Sequence, residues 1–169
     1  MKRVRWLSGL LSAGVLSFTL ATVGAQVAQA QRPIFLLDLT CVNRGNGQYQ
    51  KVSEDISVGR ELYTAVLRVW PNAAFTCRLS GGSGTLRMEY GISDTAIGNA
   101  PITITVYLDG NQVESKTASP GQVGTLLVDI SGGKSLAIET ACARATNCDA
   151  TLRLFKAQLD LGASSPGRR

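Results

Sequence analysis

The residues of this 169-residue chain best suited to covalent chemistry are its four cysteines, Cys41, Cys77, Cys142 and Cys148. Four thiols allow three pairings. Cys142 and Cys148 enclose a short polar segment, Ala143 to Asn147, of the kind found in loops. Cys41 shares one face of a period-two run with Phe35, Leu37 and Leu39, and Cys77 shares another with Phe75 and Leu79. Cysteines on two apolar faces can meet in a core, so the expected disulfides are Cys41–Cys77 and Cys142–Cys148. Chain entropy gives the longer link about 4 kcal/mol and the shorter about 2 kcal/mol. The spacings do not match paired C-x-x-C zinc sites, and no metal site is expected.

The chain has no histidine. That removes the commonest general base, the commonest metal ligand and every His-dependent triad. Carboxylate chemistry would need two of Glu54, Asp55, Glu61 and Glu89 to converge in a cleft, about 5–9.5 Å apart for a glycosidase. Their positions near a loop or on the outer side of a strand do not indicate convergence. The reading is of a non-catalytic protein.

The elements that would carry these residues are strands. Leu86, Met88, Tyr90 and Ile92 alternate with polar residues or glycine, as do Ile102, Ile104, Val106 and Leu108 with Thr103, Thr105 and Tyr107. This is the period of a half-buried strand, and its β-branched content agrees. Asp109-Gly110-Asn111 marks a hairpin turn, with a return strand from Gln112 to Thr117. A first strand is expected from Phe35 to Val42, and others through Leu126–Ile130, Leu136–Cys142 and Thr151–Leu161, the last with a bulge near Phe155 where the apolar face switches. Leu62, Ala65, Val66 and Val69 fit helical spacing, so a short helix is expected between Arg60 and Arg68. Seven or eight short strands imply an all-β antiparallel sandwich. Tyr90 and Phe75 belong to its core.

Lys2, Arg3 and Arg5 precede an uncharged stretch ending in Ala28-Gln29-Ala30. This is the pattern of a secretory signal peptide over residues 1–30. A folded domain over 31–161 and a disordered Gly/Ser/Pro-rich tail over 162–169 are expected to follow. The apolar run is short for a membrane span, and Asp38 before Cys41 does not suit a lipoprotein site. The expected location is secreted or periplasmic, where disulfides persist. The formal charge of +5 includes the three basic residues of the leader, so the remainder is close to neutral. Nothing in it argues for nucleic acid or an anionic membrane surface.

The order of three pieces resembles the NPCBM family of carbohydrate-binding modules. Ile56-Ser57-Val58-Gly59-Arg60-Glu61-Leu62-Tyr63 is followed by Gly84 to Asp94, where Leu86 through Asp94 is similar to the family's strand ending in Gly-Ile-Asp. Ile102 to Gly110 then matches a strand and hairpin, with Val106, Asp109 and Gly110 in place. Val128-Asp129-Ile130-Ser131-Gly132 runs on to Leu136 and Ile138 in the same order as in the family. The resemblance spans about residues 50 to 160 and implies a galactose-binding-like jelly roll with a carbohydrate-binding role. The chain departs from the family at Thr64 to Arg68, where members usually carry a His. It departs again at Arg144 to Asp149, which lacks the family's acidic His- and Trp-bearing motif.

Modules of this kind stack an exposed aromatic ring on a sugar face and flank it with polar groups. Trp70, in Val69-Trp70-Pro71-Asn72, is the first candidate platform, with Asn72 beside it. The proline places it at a strand end. The competing reading is a Trp that plugs the end of the sandwich. Tyr49, in a polar loop with Arg44 and Asn46, is the second candidate; otherwise it is a rim tyrosine. No cofactor is expected. A structural calcium would need clustered acidic ligands, whereas Asp109 and Asn111 are better explained by turn chemistry. Two functions are carried forward: a glycan-binding module, and a structural or adhesive envelope protein that binds another protein. Oligomeric state and the glycan itself stay open.

Overall fold

Alternation with period two organises the whole chain. In the computed structural model, which describes residues 32–44 and 47–162, Ile102, Ile104 and Val106 are buried while Thr103, Thr105 and Tyr107 are half-buried. Each such strand must cover its apolar face, and two sheets packed face to face do so.

Among the described residues eleven strands result, in chain order: β1 (Ile34–Phe35), β2 (Cys41–Asn43), β3 (Tyr49–Val58), β4 (Glu61–Val69), β5 (Ala74–Arg78), β6 (Gly84–Gly91), β7 (Ile102–Leu108), β8 (Asn111–Ala118), β9 (Val123–Asp129), β10 (Ser135–Cys142) and β11 (Leu152–Leu161). One sheet has the order β3-β4-β11-β6-β9, with β1 also on β11; the other has the order β2-β5-β10-β7-β8. All the strand pairings are antiparallel. The protein is an all-β jelly-roll-type sandwich. Its core includes Leu36, Leu67, Phe75, Leu86, Met88, Tyr90, Ile104, Leu126, Leu136 and Leu152. No helix of the described residues is long and apolar enough to cross a membrane.

Both expected disulfides are present. Cys41 stands directly opposite Cys77 in the β2–β5 ladder. The expected bulge is also present: the β11–β6 register shifts between Leu154 and Lys156. The Asp109-Gly110 turn joins β7 to β8 as read, with both residues at positive φ.

Two expectations are corrected. The strand expected from Phe35 to Val42 is broken. Ile34 and Phe35 pair with β11 in one sheet, Leu36–Asp38 form a 3-10 turn, and Cys41–Asn43 pair with β5 in the other sheet. The chain crosses between layers here, and Leu36 is fully buried in the crossing. The helix expected between Arg60 and Arg68 is instead strand β4. Ala65, Leu67 and Val69 are its buried residues, while Leu62 is 74% exposed. Neighbours on both sides, β3 along its length and β11 at Leu67–Val69, supply the ladder bonds that override the helical spacing.

β4 pairs with β11 only at Leu67–Val69, and the part of the β3–β4 hairpin before Leu67 lies over the outer face of its own sheet. Leu86, Met88 and Tyr90 point inward, so Gly91 faces out. A Cβ on Gly91 would lie 3.1 Å from both Val58 Cγ1 and Phe155 Cζ. The Tyr63 and Phe155 rings stack at 4.6 Å. Asp94 holds the hairpin tip: its carboxylate accepts from the Ser57 hydroxyl (2.6 Å) and the Gly59 and Arg60 amides (2.8 and 3.0 Å). Those donors, the hydroxyl first, hold its pKa below the ordinary carboxylate value.

The expected leader (1–30) and all of the expected tail except Gly162 lie outside the described residues. The described ends meet at one end of the sandwich. Ile34 pairs with Leu159, and the Gly162 amide donates to the Ser83 carbonyl.

The two disulfides close loops of different length, 36 and 6 residues in separation. Replacing both Cys41 and Cys77 by Ala is therefore expected to lower stability by about 2–4 kcal/mol, more than the same change at Cys142 and Cys148. Urea unfolding of the two double variants checks this, and a larger loss at the short loop would contradict it.

Candidate functional site

At the opposite end of the sandwich, β4 turns into β5 through Trp70-Pro71-Asn72-Ala73. The Ala73 amide donates to the Trp70 carbonyl at 3.3 Å. Proline occupies the second position and Asn72 the third, at φ 62°. That is the pattern of a type II turn, whose third position needs positive φ and tolerates Asn. Asn72 is thus explained first by backbone geometry.

Three further contacts fix this turn. The Trp70 amide donates to the Gln48 carbonyl (2.9 Å), and the Gly47 amide donates to the Asn72 carbonyl (3.2 Å). Thr140, on β10, is buried at 4% exposure. Its hydroxyl donates to the Trp70 carbonyl at 3.0 Å and accepts from the Ala73 amide at 3.2 Å. Gly47 is required by close approach: a Cβ there would lie 2.2 Å from the Ala73 nitrogen.

The result is a cleft of about 300 Å³ lined by Gly47, Gln48, Trp70, Pro71, Asn72 and Cys148. Trp70 is half-buried. It is neither a free surface ring nor fully enclosed by the core. The Cys142–Cys148 disulfide brings Cys148 to the cleft wall.

Of the residues singled out in the sequence, Trp70 and Asn72 meet in this cleft. Tyr49 does not line it: its ring packs at 4.4 Å on Phe75, which is core as expected. Arg44 is exposed on the chain leading to Gly47, and its amide donates to the Ala74 carbonyl. Asn46 lies outside the described residues.

The sequence reading missed what lies beside the Trp ring. The Arg68 guanidinium sits over it, 5.5 Å from the centroid, in cation–π range. Arg68 Nε donates to Glu54 Oε1 at 3.2 Å, and its Nη2 donates to Oε2. Arg153 also donates to Glu54, and to the Thr151 hydroxyl. Side-chain exposures are 26% for Glu54, 30% for Arg68 and 15% for Arg153, so the cluster is partly desolvated. The bond from Arg68, reinforced by Arg153, holds the Glu54 pKa below its ordinary value against the opposing effect of burial. Burial lowers the Arg153 pKa, and Glu54 opposes that shift. Arg68 stands near the end of β4 and Trp70 is the first residue of the turn that follows it. The helical assignment of this stretch hid that pairing.

Three of the four carboxylates considered for acid–base chemistry have separate partners. Glu54 serves the two arginines, Asp55 accepts from Thr64 Oγ1, and Glu61 accepts from the Tyr63 hydroxyl, the latter two at 2.7 Å.

No family model and no curated protein matches the sequence. Solved structures do match the fold. The CBM51 module of Clostridium perfringens GH95, in complex with methyl-galactose, has 17% identity and a TM-score of 0.62 over 76% of this chain and 99% of that one. The CBM51-2 and INT domains of Clostridium perfringens ZmpB, with GlcNAc bound to the CBM51-2 module, give 16% and 0.64 over 79% of this chain and 33% of that one. The tandem CBM51 modules of Sp3GH98, the family 98 glycoside hydrolase of Streptococcus pneumoniae, give 13% and 0.59 over 77% and 47%. This chain therefore spans nearly all of the first structure and less than half of the other two. At these identities the likeness shows the fold alone, the two-sheet β-sandwich that these modules share.

Two outcomes follow from the site geometry. Gly47→Ala is expected to cost about 2 kcal/mol or more, because the new methyl meets backbone that cannot move aside; a melting temperature equal to wild type would contradict it. Glu54→Gln leaves a mostly buried guanidinium without its counter-charge, at a cost of about 2 kcal/mol at pH 7. Because the folded pKa of Glu54 lies below its ordinary value, its contribution is complete above about pH 4.5. It disappears as pH falls through the lower folded value. Stability curves of wild type and variant should therefore converge in acid, and a gap that persists there would refute the ionic account.

Proposed function

We propose that the chain is a secreted, non-catalytic carbohydrate-binding module. The carrying observation is Trp70, half-buried and fixed by its own turn at the wall of an end cleft. An aromatic ring so held offers an apolar platform to the C–H face of a sugar. Gln48 and Asn72 line the same cleft and offer amide groups. The likeness to sugar-binding modules supports the reading, because those neighbours use the same sandwich. Residues 31–161 would be the binding domain, released by cleavage of a signal peptide over 1–30. Two disulfides and the absence of histidine suit an extracytoplasmic binder better than a catalyst. Trp70 is central to this reading, with Tyr49, Arg44 and Asn46 as its supporting residues.

The envelope-protein reading draws on a different feature. At the end away from Trp70 lies a cleft of about 320 Å³ whose apolar lining includes Ile34, Leu39, Leu79, Ile130, Leu159 and Leu161. Such a surface would suit an apolar segment of another protein.

The discriminating experiment is a panel of soluble glycans presented to the oxidised protein. Binding is expected, and Trp70→Ala should weaken it at least tenfold, about 1.4 kcal/mol, with an unchanged melting profile. A folded protein that binds no glycan would overturn the module reading. A folded Trp70→Ala variant that binds as well as wild type would remove the site assigned here.

A further inference from the structure

The charges beside Trp70 do not balance. Two guanidinium groups, Arg68 and Arg153, share one carboxylate, Glu54. Arg153 is the more buried of the two and spends its donors on Glu54 and Thr151. Arg68 reaches Glu54 through Nε and Nη2 only. Its Nη1 has no partner among the described residues, and its side chain is 30% exposed. Arg153 Nη2 likewise has no partner among the described residues, but Arg68 is the more exposed of the two. The excess positive charge is therefore the more accessible at Arg68, the group 5.5 Å from the Trp70 ring centroid.

Unpaired charges of both signs lie nearby, and Arg68 is the one in contact with the Trp70 ring. Asp149 follows Cys148 of the cleft wall, and Glu139 lies opposite Ala74 on β10. Among the described residues, neither carboxylate is within ion-pair distance of a cation. Arg44, on the chain leading to Gly47, and Arg144, in the disulfide-closed loop that ends at Cys148, are exposed. Among the described residues, neither has an acidic partner. None of these arginines lines the cleft itself; Arg68 reaches it through the Trp70 ring, and Arg44 and Arg144 stand on the segments leading to Gly47 and Cys148 of its wall. A guanidinium presents a planar fork matched to two oxygens of one oxyanion.

Resting on the sugar-binding reading above, we infer that the Trp70 cleft selects acidic glycans, with the ring under the sugar and the free edge of Arg68 on a carboxylate or sulfate of that sugar. A neutral sugar would leave the extra charge facing water. An oxyanion would complete a cluster of two cations and two anions in a partly desolvated setting, where such pairs are stronger than on an open surface.

The test compares matched polymers: polygalacturonate against its methyl ester, and a sulfated galactan against its desulfated form. The charged member is expected to bind the oxidised protein at least tenfold more tightly, with the preference shrinking in 0.5 M salt. Whichever pair shows the larger ratio identifies carboxylate or sulfate as the recognised group. Arg68→Gln should bring the ratio close to one, while Trp70→Ala should weaken both members alike. Glu54→Gln removes the competing carboxylate and should raise the ratio about threefold, which a merely structural role for the cluster would not do. If Arg68→Gln does not fold, Arg68→Lys keeps the charge and loses the fork, and the ratio should still fall. Equal affinity within both pairs would overturn the acidic preference and leave the sugar-binding reading standing. Binding to none of the four, and to no glycan of the wider panel, would overturn both.

Discussion

One hydroxyl carries the polar traffic at the site's end of the core. Among the described residues, Thr140 is the only buried serine, threonine, amide or charged side chain, and it lies where β4 must reverse into β5. A reversal beside the core exposes backbone donors and acceptors that water cannot reach, and each one left unpaired costs about 1–3 kcal/mol. Thr140 answers two of them, the Trp70 carbonyl and the Ala73 amide. Its own amide donates to the Ala73 carbonyl. The type II turn, the orientation of the Trp70 backbone and the tight passage at Gly47 all follow from that arrangement. The cleft is thus built on strand ends and a pinned turn, which suits a surface that must keep its shape for a ligand.

A second constraint is the folding of the β3–β4 hairpin over the outside of its own sheet. Sheet faces outside a sandwich are ordinarily wet and polar. Here the bulge at Phe155 and the bare Gly91 make an apolar seat for Val58 and Tyr63. Glu54 then becomes partly buried between the hairpin and β11, and Arg68 and Arg153 supply its counter-charges. The same fold-over that shields these charges fixes Arg68 against Trp70. Packing on the outer face and the charge cluster beside Trp70 thus lie together on β11, where the register shifts between Leu154 and Lys156.

Much of this was legible in the sequence. Period two, the Asp-Gly turn and the phase switch near Phe155 are local signals, and the structure follows each of them. Both disulfides form as expected, Cys77 on an apolar strand face and Cys142–Cys148 across a short polar loop, although the expected Phe35–Val42 strand that carries Cys41 is broken. The misreadings came where tertiary pairing decides between local options. Glu61–Val69 has a spacing compatible with either period, and only its two neighbouring strands settle it. Phe35–Val42 reads as one strand because nothing local announces a crossing between sheets; burial of Leu36 between layers is a property of the assembled core. The Trp70 cleft was half legible: the Trp-Pro-Asn sequence announces a turn and an aromatic ring, but Arg153 and Glu54, 99 residues apart, meet only through the fold.

The site and the described chain ends lie at opposite ends of the sandwich. β11 runs from Leu152, opposite Val69, to Leu161, opposite Gly84, which at about 3.3 Å per residue is roughly 30 Å. Ile34 enters beside Leu159 and Gly162 leaves beside Ser83. A tether at either described end would therefore join the sandwich away from the cleft, leaving the Trp70 end open to a large or immobile ligand. That geometry suits recognition of a polymer surface better than capture of a small molecule deep within the protein. It agrees with a cleft lined by one turn, by Gly47 and Gln48, and by Cys148, with Trp70 as the one aromatic ring in its lining.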